Sequence, residues 1–408
     1  MLTKQVRRGT HRGATLEASL ERARRVCKPL GITRVANVTG LDCVGIPVVT
    51  VCRPNARSLA VSQGKGLCLA AAEVSGLMES IELYHAETIQ RPLLLASWNE
   101  VRFSRHAADI TRLPRVVASN FHPDRPMLWL EGKEATSEAP VLVPFELVHA
   151  NFMLPLPTGS GAFVMSSNGL ASGNDMPEAI LHALCEVIER DAVALFRCHA
   201  PSRQRALMLD LKTIDDLDCL ELVRKFDQAG IAVGLWDITS DIGVPAFRCV
   251  VQERDAGALR QVGPVRGMGC HPAREVAMLR ALTEAAQGRL TLISGTRDDI
   301  GREQHADVRS VERLKLGQEW LSLRGQHDLA SVPTARHDTT AEDLAWLLSR
   351  LQQVGLEQVI TLDLTRREFG ISVVRVLVPG LEPHHQDVDC IVGARARHAL
   401  AEREKCLA

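Results

Sequence analysis

Three apolar helical stretches of this chain share one defect, and that defect most restricts what it can fold into. Between Ala70 and Glu87, the residues Val74, Leu77, Met78 and Ile81 recur as a core-facing stripe, while Ser75, Glu79 and Glu82 fall at i, i+4 and i+7 on an adjoining one. Carboxylates three apart on a helix point the same way. The second stretch, Pro177 to Arg197, has a core face of Ile180, Leu184, Val187 and Ile188 and a polar stripe of His182, Glu186 and Glu189, with Arg190 beside it. It opens with Asn174-Asp175-Met176-Pro177-Glu178, where Asp175 as N-cap and Glu178 three later make a capping-box-like start. The third, Pro272 to Ser294, places Arg280, Glu284 and Gln287 at i, i+4 and i+7, with Arg289 nearby. Each stripe alone reads as a solvated face, and Arg280 could pair with Glu284 across one turn.

Together the three stripes invite a chemical reading. Four carboxylates repel one another unless cations neutralise them, and hard Mg²⁺ with phosphate oxygens suits such an oxygen-rich set. Guanidinium groups that orient phosphates would complete a nucleotide-triphosphate site without a Walker loop. Ahead of the second helix, Ser166 to Asn174 is a run of small and polar residues that lets backbone amides approach an anion. Ser62-Gln63-Gly64-Lys65-Gly66 is P-loop-like only superficially, because it lacks the GxxxxGK[ST] spacing.

Composition narrows the class. With 408 residues, 46% hydrophobic and 24% charged, the chain reads as soluble and globular, with about two to three structural units by length. A net charge of −1 and one Tyr beside nine Phe and five Trp argue against a nucleic-acid binder. The longest apolar runs, such as Val44 to Cys52, are too short and too broken to span a bilayer. The basic start, with Lys4, Arg7, Arg8 and Arg12, leads into no apolar signal region, so a cytoplasmic location is expected. Eleven cysteines without a Cys-x-x-Cys pair read as reduced, buried small hydrophobes.

Strands are expected at Val141–Val148, Ile231–Asp237, Ala246–Gln252, Val359–Leu364 and Ile371–Val378, with a buried strand within Thr39–Arg53. Gly64 to Gly66 is expected to be a loop opening the first polar-striped helix. Further helices are expected at Thr15–Arg25, Ala341–Val354 and Ala394–Lys405, and an irregular surface excursion at Asp298–Asp338. Without strict βαβ alternation, an α+β fold is expected.

The stretches Ser75-Gly-Leu-Met-Glu79-Ser-Ile-Glu82, then Ser167-Asn-Gly-Leu-Ala-Ser-Gly-Asn174 leading to Glu186-Val-Ile-Glu189-Arg190-Asp191, then Arg280-Ala-Leu-Thr-Glu284-Ala-Ala-Gln287-Gly-Arg289 resemble the three ATP-site motifs of the YcaO family. The resemblance runs from about Gly31 to Leu381. It implies a YcaO-like α+β ATP-binding fold over 31–381, a basic segment over 1–30, a helical tail over 382–408, and a homodimer. It also implies an enzyme that uses ATP and Mg²⁺ to phosphorylate a backbone amide oxygen of a ribosomally made precursor peptide. By the same resemblance Glu79, Glu82, Glu186 and Glu189 would hold Mg²⁺, and Ser75, Asn168, Asn174, Arg190, Arg280, Glu284 and Gln287 would contact ATP. Glu79, Glu189 and Arg190 would be the catalytic members. Two departures matter: Leu83 stands where many relatives carry Arg, and residues 388–408 contain no proline, unlike the Pro-x-Pro-x-Pro end of azoline-forming relatives. Gly31 to Asp42 and Cys52 to Arg57 look more like members that work beside a TfuA protein in thioamide formation. An azoline-forming cyclodehydratase and a non-catalytic peptide-binding scaffold are the alternatives.

Overall fold

A computed structural model describes residues 3–6, 8–255, 261–383 and 389–407. Parts of the two expected terminal segments, residues 1, 2 and 7 of the first and 384–388 and 408 of the second, lie outside the described residues. The helices are α1 (Leu16–Val26), α2 (Leu69–Glu87), α3 (Trp98–Ser104), α4 (Met176–Cys198), α5 (Pro201–Ala206), α6 (Leu217–Gln228), α7 (Arg274–Ser294), α8 (Arg302–Val308), α9 (Val311–Ser322), α10 (Thr340–Gln353) and α11 (Ala394–Leu407). The strands are β1 (Arg34–Asn37), β2 (Val48–Cys52), β3 (Val61–Lys65), β4 (Leu93–Ala96), β5 (Met127–Glu134), β6 (Pro140–Pro144), β7 (Leu170–Gly173), β8 (Ile231–Asp237), β9 (Ala246–Glu253), β10 (Val265–Cys270), β11 (Ile360–Asp363) and β12 (Ser372–Leu377). The pairings between these strands are all antiparallel, in keeping with an α+β chain without βαβ units.

Two compact units result. The first comprises Met1–Asn55, Leu59–Ser80 and Ala200–Thr339; the second comprises Ala56–Ser58, Ile81–His199 and Thr340–Ala408.

In the first unit, one sheet runs β1-β2-β3 and another β10-β9-β8. Helix α7 lies on β10 so closely that a Cβ at Gly267 would stand 2.2 Å from the Ala281 carbonyl oxygen. Only glycine permits that contact. Phe226, Leu235, Phe247, Cys249, Leu282 and Ala285 fill the core beneath. Helix α6 starts where the Asp216 carboxylate accepts the Cys219 N–H at 2.9 Å, and Cys219, Leu222 and Phe226 form its buried stripe.

Two expectations are corrected in this unit. Gly64-Lys65 is not a loop: it ends β3, with Gly64 paired to Val49 and Lys65 to Val48. Gly64 is there for packing, because a Cβ on it would lie 1.9 Å from the Ala72 carbonyl oxygen of α2. The Asp298–Asp338 segment is not irregular either, since α8 and α9 fall inside it. Helix α9 escapes periodicity analysis because its Val311 and Leu316 are exposed, and its start is set by Ser310 capping the Arg313 N–H.

The second unit is built on one sheet of order β4-β5-β11-β12-β7, with β6 also pairing with β5. The strand expected over Val141–Val148 stops at Pro144, after which Phe145–Leu147 forms a 3₁₀ turn. Helix α4 packs on β7 and β12, and α10 and α11 pack on α4. Its start follows expectation in part: Asp175 caps the Glu178 N–H at 2.9 Å, but the buried Glu178 carboxylate takes the Asn174 side-chain amide at 3.0 Å. Among the described residues no helix is long and apolar enough to cross a membrane. The described cysteines are free thiols: Cys185, Cys198, Cys219, Cys249, Cys270 and Cys390 are buried and Cys27 and Cys52 partly so, whereas Cys43 and Cys68 are exposed against expectation.

Candidate functional site

The candidate residues divide between the units, and each half has its own internal bonding. In the first unit β3 organises the set. The Gln63 backbone N–H donates to Glu79 Oε2 at 3.3 Å, and its carbonyl accepts from Gln287 Nε2 at 3.4 Å. The Gln63 side-chain oxygen takes the Thr291 hydroxyl, while its buried Nε2 has no partner. Two residues on, Lys65 pairs with Glu284, whose other oxygen accepts the Met268 N–H at 3.2 Å. Glu284 is therefore anchored to two strands, which goes beyond the pairing with Arg280 that helix spacing allowed. Ser75 precedes Glu79 by one turn of α2, and Arg280 lies where α7 crosses Gly269, whose Cβ would stand 2.7 Å from that of Arg280.

Arg289 does a different job. It is 2% exposed, forks onto Asp42 at 2.8 and 3.1 Å and reaches Glu253 at 2.7 Å. Burial pushes the Asp42 carboxyl up, but the Arg289 fork more than offsets this and holds it below its ordinary value. Arg297 pairs with Asp299 and is held above the ordinary arginine value chiefly by that bond, with Glu79 adding a smaller pull.

In the second unit α4 carries the charged cluster. Glu189 is 3% exposed, and Arg190 reaches it at 3.1 Å and Glu186 at 3.6 Å. Glu82 accepts both the Ser172 N–H at 2.8 Å and its hydroxyl at 2.6 Å, which fixes the carboxylate against β7. Asn174 is engaged by Glu178, and Asn168 has its buried Oδ1 unsatisfied. The next residue of the motif, Asp191, is fully buried; Arg395 of α11 forks onto it at 2.9 Å through both nitrogens, and the Glu382 N–H donates at 3.0 Å.

Periodicity gave no signal for Arg375. It sits mid-strand in β12 at 1% exposure, and only Nη2 has a partner, the Ser166 carbonyl at 2.7 Å. Nε and Nη1 are buried without one. Burial lowers its pKa to about 10, with Glu186 pulling the other way, so the guanidinium stays charged at neutral pH. Gln63 and Lys65 were likewise hidden, being visible only as part of a weak phosphate-loop likeness.

These donors fit Mg²⁺ and phosphate. Carboxylate oxygens with no softer ligand among them suit a hard cation, and Arg375 keeps two donors unfilled in a buried place where an unmet charge is costly.

Comparison with known proteins agrees with this chemistry. The sequence model of the family described as "YcaO cyclodehydratase, ATP- and Mg2+-binding" matches residues 63–382. A protein of Rhizobium leguminosarum bv. trifolii, described by its position in the tfuA 3' region, is 35% identical over 92% of this chain and 90% of its own length. The structure of YcaO from Methanopyrus kandleri bound with AMPPCP and Mg²⁺ superimposes with a TM-score of 0.74 at 24% identity, over 94% of this chain and 96% of that one. A heterocyclase in complex with substrate and cofactor gives a TM-score of 0.76 at 24% identity over 94% of this chain; the chain spans 54% of that heterocyclase's length. At that identity both structures speak for the fold. The chain belongs to the YcaO family, an ATP- and Mg²⁺-binding family.

Proposed function

We propose that this protein uses ATP to phosphorylate a backbone amide oxygen of a ribosomally made peptide, and that sulfide then adds at the amide carbon to give a thioamide. The observation that carries the first half is the buried charge on α4 and β12. Glu189, Arg190, Glu186 and Arg375 stand in a largely desolvated place, a costly arrangement unless a metal-bound anion completes it. A scaffold that only bound peptide would gain nothing from that charge.

In this reading Glu79, Glu82, Glu186 and Glu189 hold Mg²⁺, and Ser75, Asn168, Asn174, Arg190, Arg280, Glu284 and Gln287 contact the nucleotide, all within a catalytic segment at 31–381. Arg375 joins them as a phosphate donor. Bound Mg²⁺ would screen the phosphate oxygens and draw charge toward the leaving ADP. The chain's own share is positioning. Ser172 keeps Glu82 from turning away, Arg190 bridges Glu186 and Glu189, and Gln63 and Lys65 set Glu79, Gln287 and Glu284. Guanidinium donors stabilise charge that builds on the transferred phosphoryl group. The amide oxygen leaves as phosphate when sulfur replaces it, so each turnover consumes one ATP and one sulfide and yields ADP, phosphate and thioamide.

The relative from the tfuA 3' region supports the sulfur branch and a separate TfuA-type partner. The same reading has the enzyme cytoplasmic and homodimeric. Incubation with partner, ATP, Mg²⁺, sulfide and precursor peptide tests it by mass: sulfur for oxygen adds about 16 Da, whereas azoline formation removes about 18 Da. Water loss without sulfur would replace the thioamide by an azoline, and no mass change with any peptide would return the fold to a binding role.

A further inference from the structure

The second unit contains a cavity of about 580 Å³ that none of the motif residues lines. Ala86 and Glu87 of α2 form one wall, beginning one helical turn past Glu82, or about 6 Å along the axis. The Arg57 side chain has no hydrogen-bond or ion-pair partner among the described residues. Asn151 uses its Oδ1 on the Met153 N–H at 3.2 Å, which leaves its amide N–H groups unspent.

His149 also lines the cavity. Its Nδ1 accepts the Asn151 N–H at 3.2 Å, so the neutral ring carries its proton on Nε2, and that atom is buried without a partner. The residue is 2% exposed and its ring packs 4.8 Å from that of Phe145. Burial, then the nearby Arg375 charge, lowers its pKa to about 4, so at neutral pH it adds no charge to the cavity.

The cavity's other charges are already engaged. Arg366 is paired with Glu368 and sits over the Tyr84 and Phe369 rings, and Glu87 accepts the Ser58 N–H at 3.0 Å and its hydroxyl at 2.5 Å. One guanidinium without an ion pair beside the Asn151 amide suits a single planar negative charge. A dianion would leave a charge unmatched and face Glu87.

We infer that this cavity receives a carboxylate of the peptide being modified, so that the enzyme selects an acidic peptide whose Asp or Glu side chain, or C-terminal carboxylate, docks on Arg57 and Asn151. The inference rests on the amide-activation reading, because an acceptor peptide is the ligand that must lie within a turn or so of Glu82. The full chain, supplied with AMPPCP and Mg²⁺, is titrated by fluorescence anisotropy with labelled Ala-Gly-Glu-Gly-Ala and Ala-Gly-Gln-Gly-Ala, both C-terminally amidated, and with the Gln peptide carrying a free C-terminus. At least one acid-bearing peptide should bind about tenfold or more tightly than the amidated Gln peptide, and which one does so names the carboxylate. Arg57→Gln should erase the difference, Arg57→Lys should keep part of it, and Asn151→Ala should narrow it several-fold. Equal binding of all three peptides overturns the inference, as does a preference that survives in Arg57→Gln. Displacement of the acidic peptide by inorganic phosphate at concentrations where acetate has no effect would also overturn it, marking a free-phosphate site. Calorimetry with AMPPCP on the same preparation separates the two claims, since nucleotide binding with no acid preference leaves the amide-activation reading standing.

Discussion

Replacing Arg395 by Ala removes the cation that α11 supplies to Asp191. The carboxylate is fully buried, and the substitution deletes both 2.9 Å bonds while leaving only the Glu382 N–H at 3.0 Å. Orphaning one partner of a buried pair costs about 3–5 kcal/mol. The Arg395 side chain is 15% exposed, so water can enter the vacated space, and we expect about 3 kcal/mol, the low end. Urea unfolding at pH 7.5 measures it, with Asp191→Asn/Arg395→Met as the control that removes both charges and should recover part of the loss. Burial already holds the Asp191 carboxyl above its ordinary value despite Arg395. A raised acid pKa contributes stability that is complete below the unfolded value and lost as pH rises through the folded one. Without Arg395 the folded pKa rises further, so the variant's deficit should be largest at neutral pH and shrink on acidification. A deficit below about 0.5 kcal/mol, or one equal at pH 5 and pH 8, would refute the reasoning. Truncation after Gly393 removes the same fork and the Ala396 N–H bond to Glu382, so activity lost on truncation should track loss of folded protein.

Other outcomes follow from single contacts. Lys65→Met should cost about 1–2 kcal/mol and weaken AMPPCP binding by calorimetry, and unchanged binding would remove Glu284 from the nucleotide site. Asp42→Asn should cost about 3 kcal/mol at pH 7. Because the Asp42 pKa is depressed on folding, its contribution is present above about pH 4 and lost as pH falls through the folded value, so acid titration of the variant should be flatter there. His149 is neutral when folded but protonates near pH 6.5 when unfolded, so wild-type stability should fall between pH 6.5 and about 4, and His149→Phe should lose that slope in pH-dependent urea titrations.

Much of the architecture was legible where periodicity and caps agreed. Helices α4 and α7 lie within about three residues of the expected bounds because continuous apolar stripes and, in α4, the Asp175 cap define them. Strands β8, β9, β11 and β12 are β-branched and buried, and they stood out for that reason. Strand β10 did not, because Gly267 and Gly269 replace side chains with direct contact to α7 and erase any alternation. Strand β4 hides for the opposite reason: Leu93 and Leu95 on it are exposed, so its apolar run marks no core face. In the site, residues on helices could be read from spacing, while those that matter through register could not. Gln63 acts largely through its backbone, Arg375 is one cation inside an apolar strand, and His149 sits in a loop with no period to mark it. Asp298–Asp338 misled because capping rather than burial specifies α9.

In the proposed reading Glu79 and Glu189 each bear on Mg²⁺-dependent nucleotide binding. Calorimetric titration of the full chain with AMPPCP, with and without Mg²⁺, tests it most directly when run beside Glu79→Gln and Glu189→Gln. Mg²⁺-dependent binding is expected in the wild type and at least about tenfold weaker binding in each variant, with circular dichroism unchanged. Wild-type affinity in both variants, or binding that ignores Mg²⁺, would contradict it.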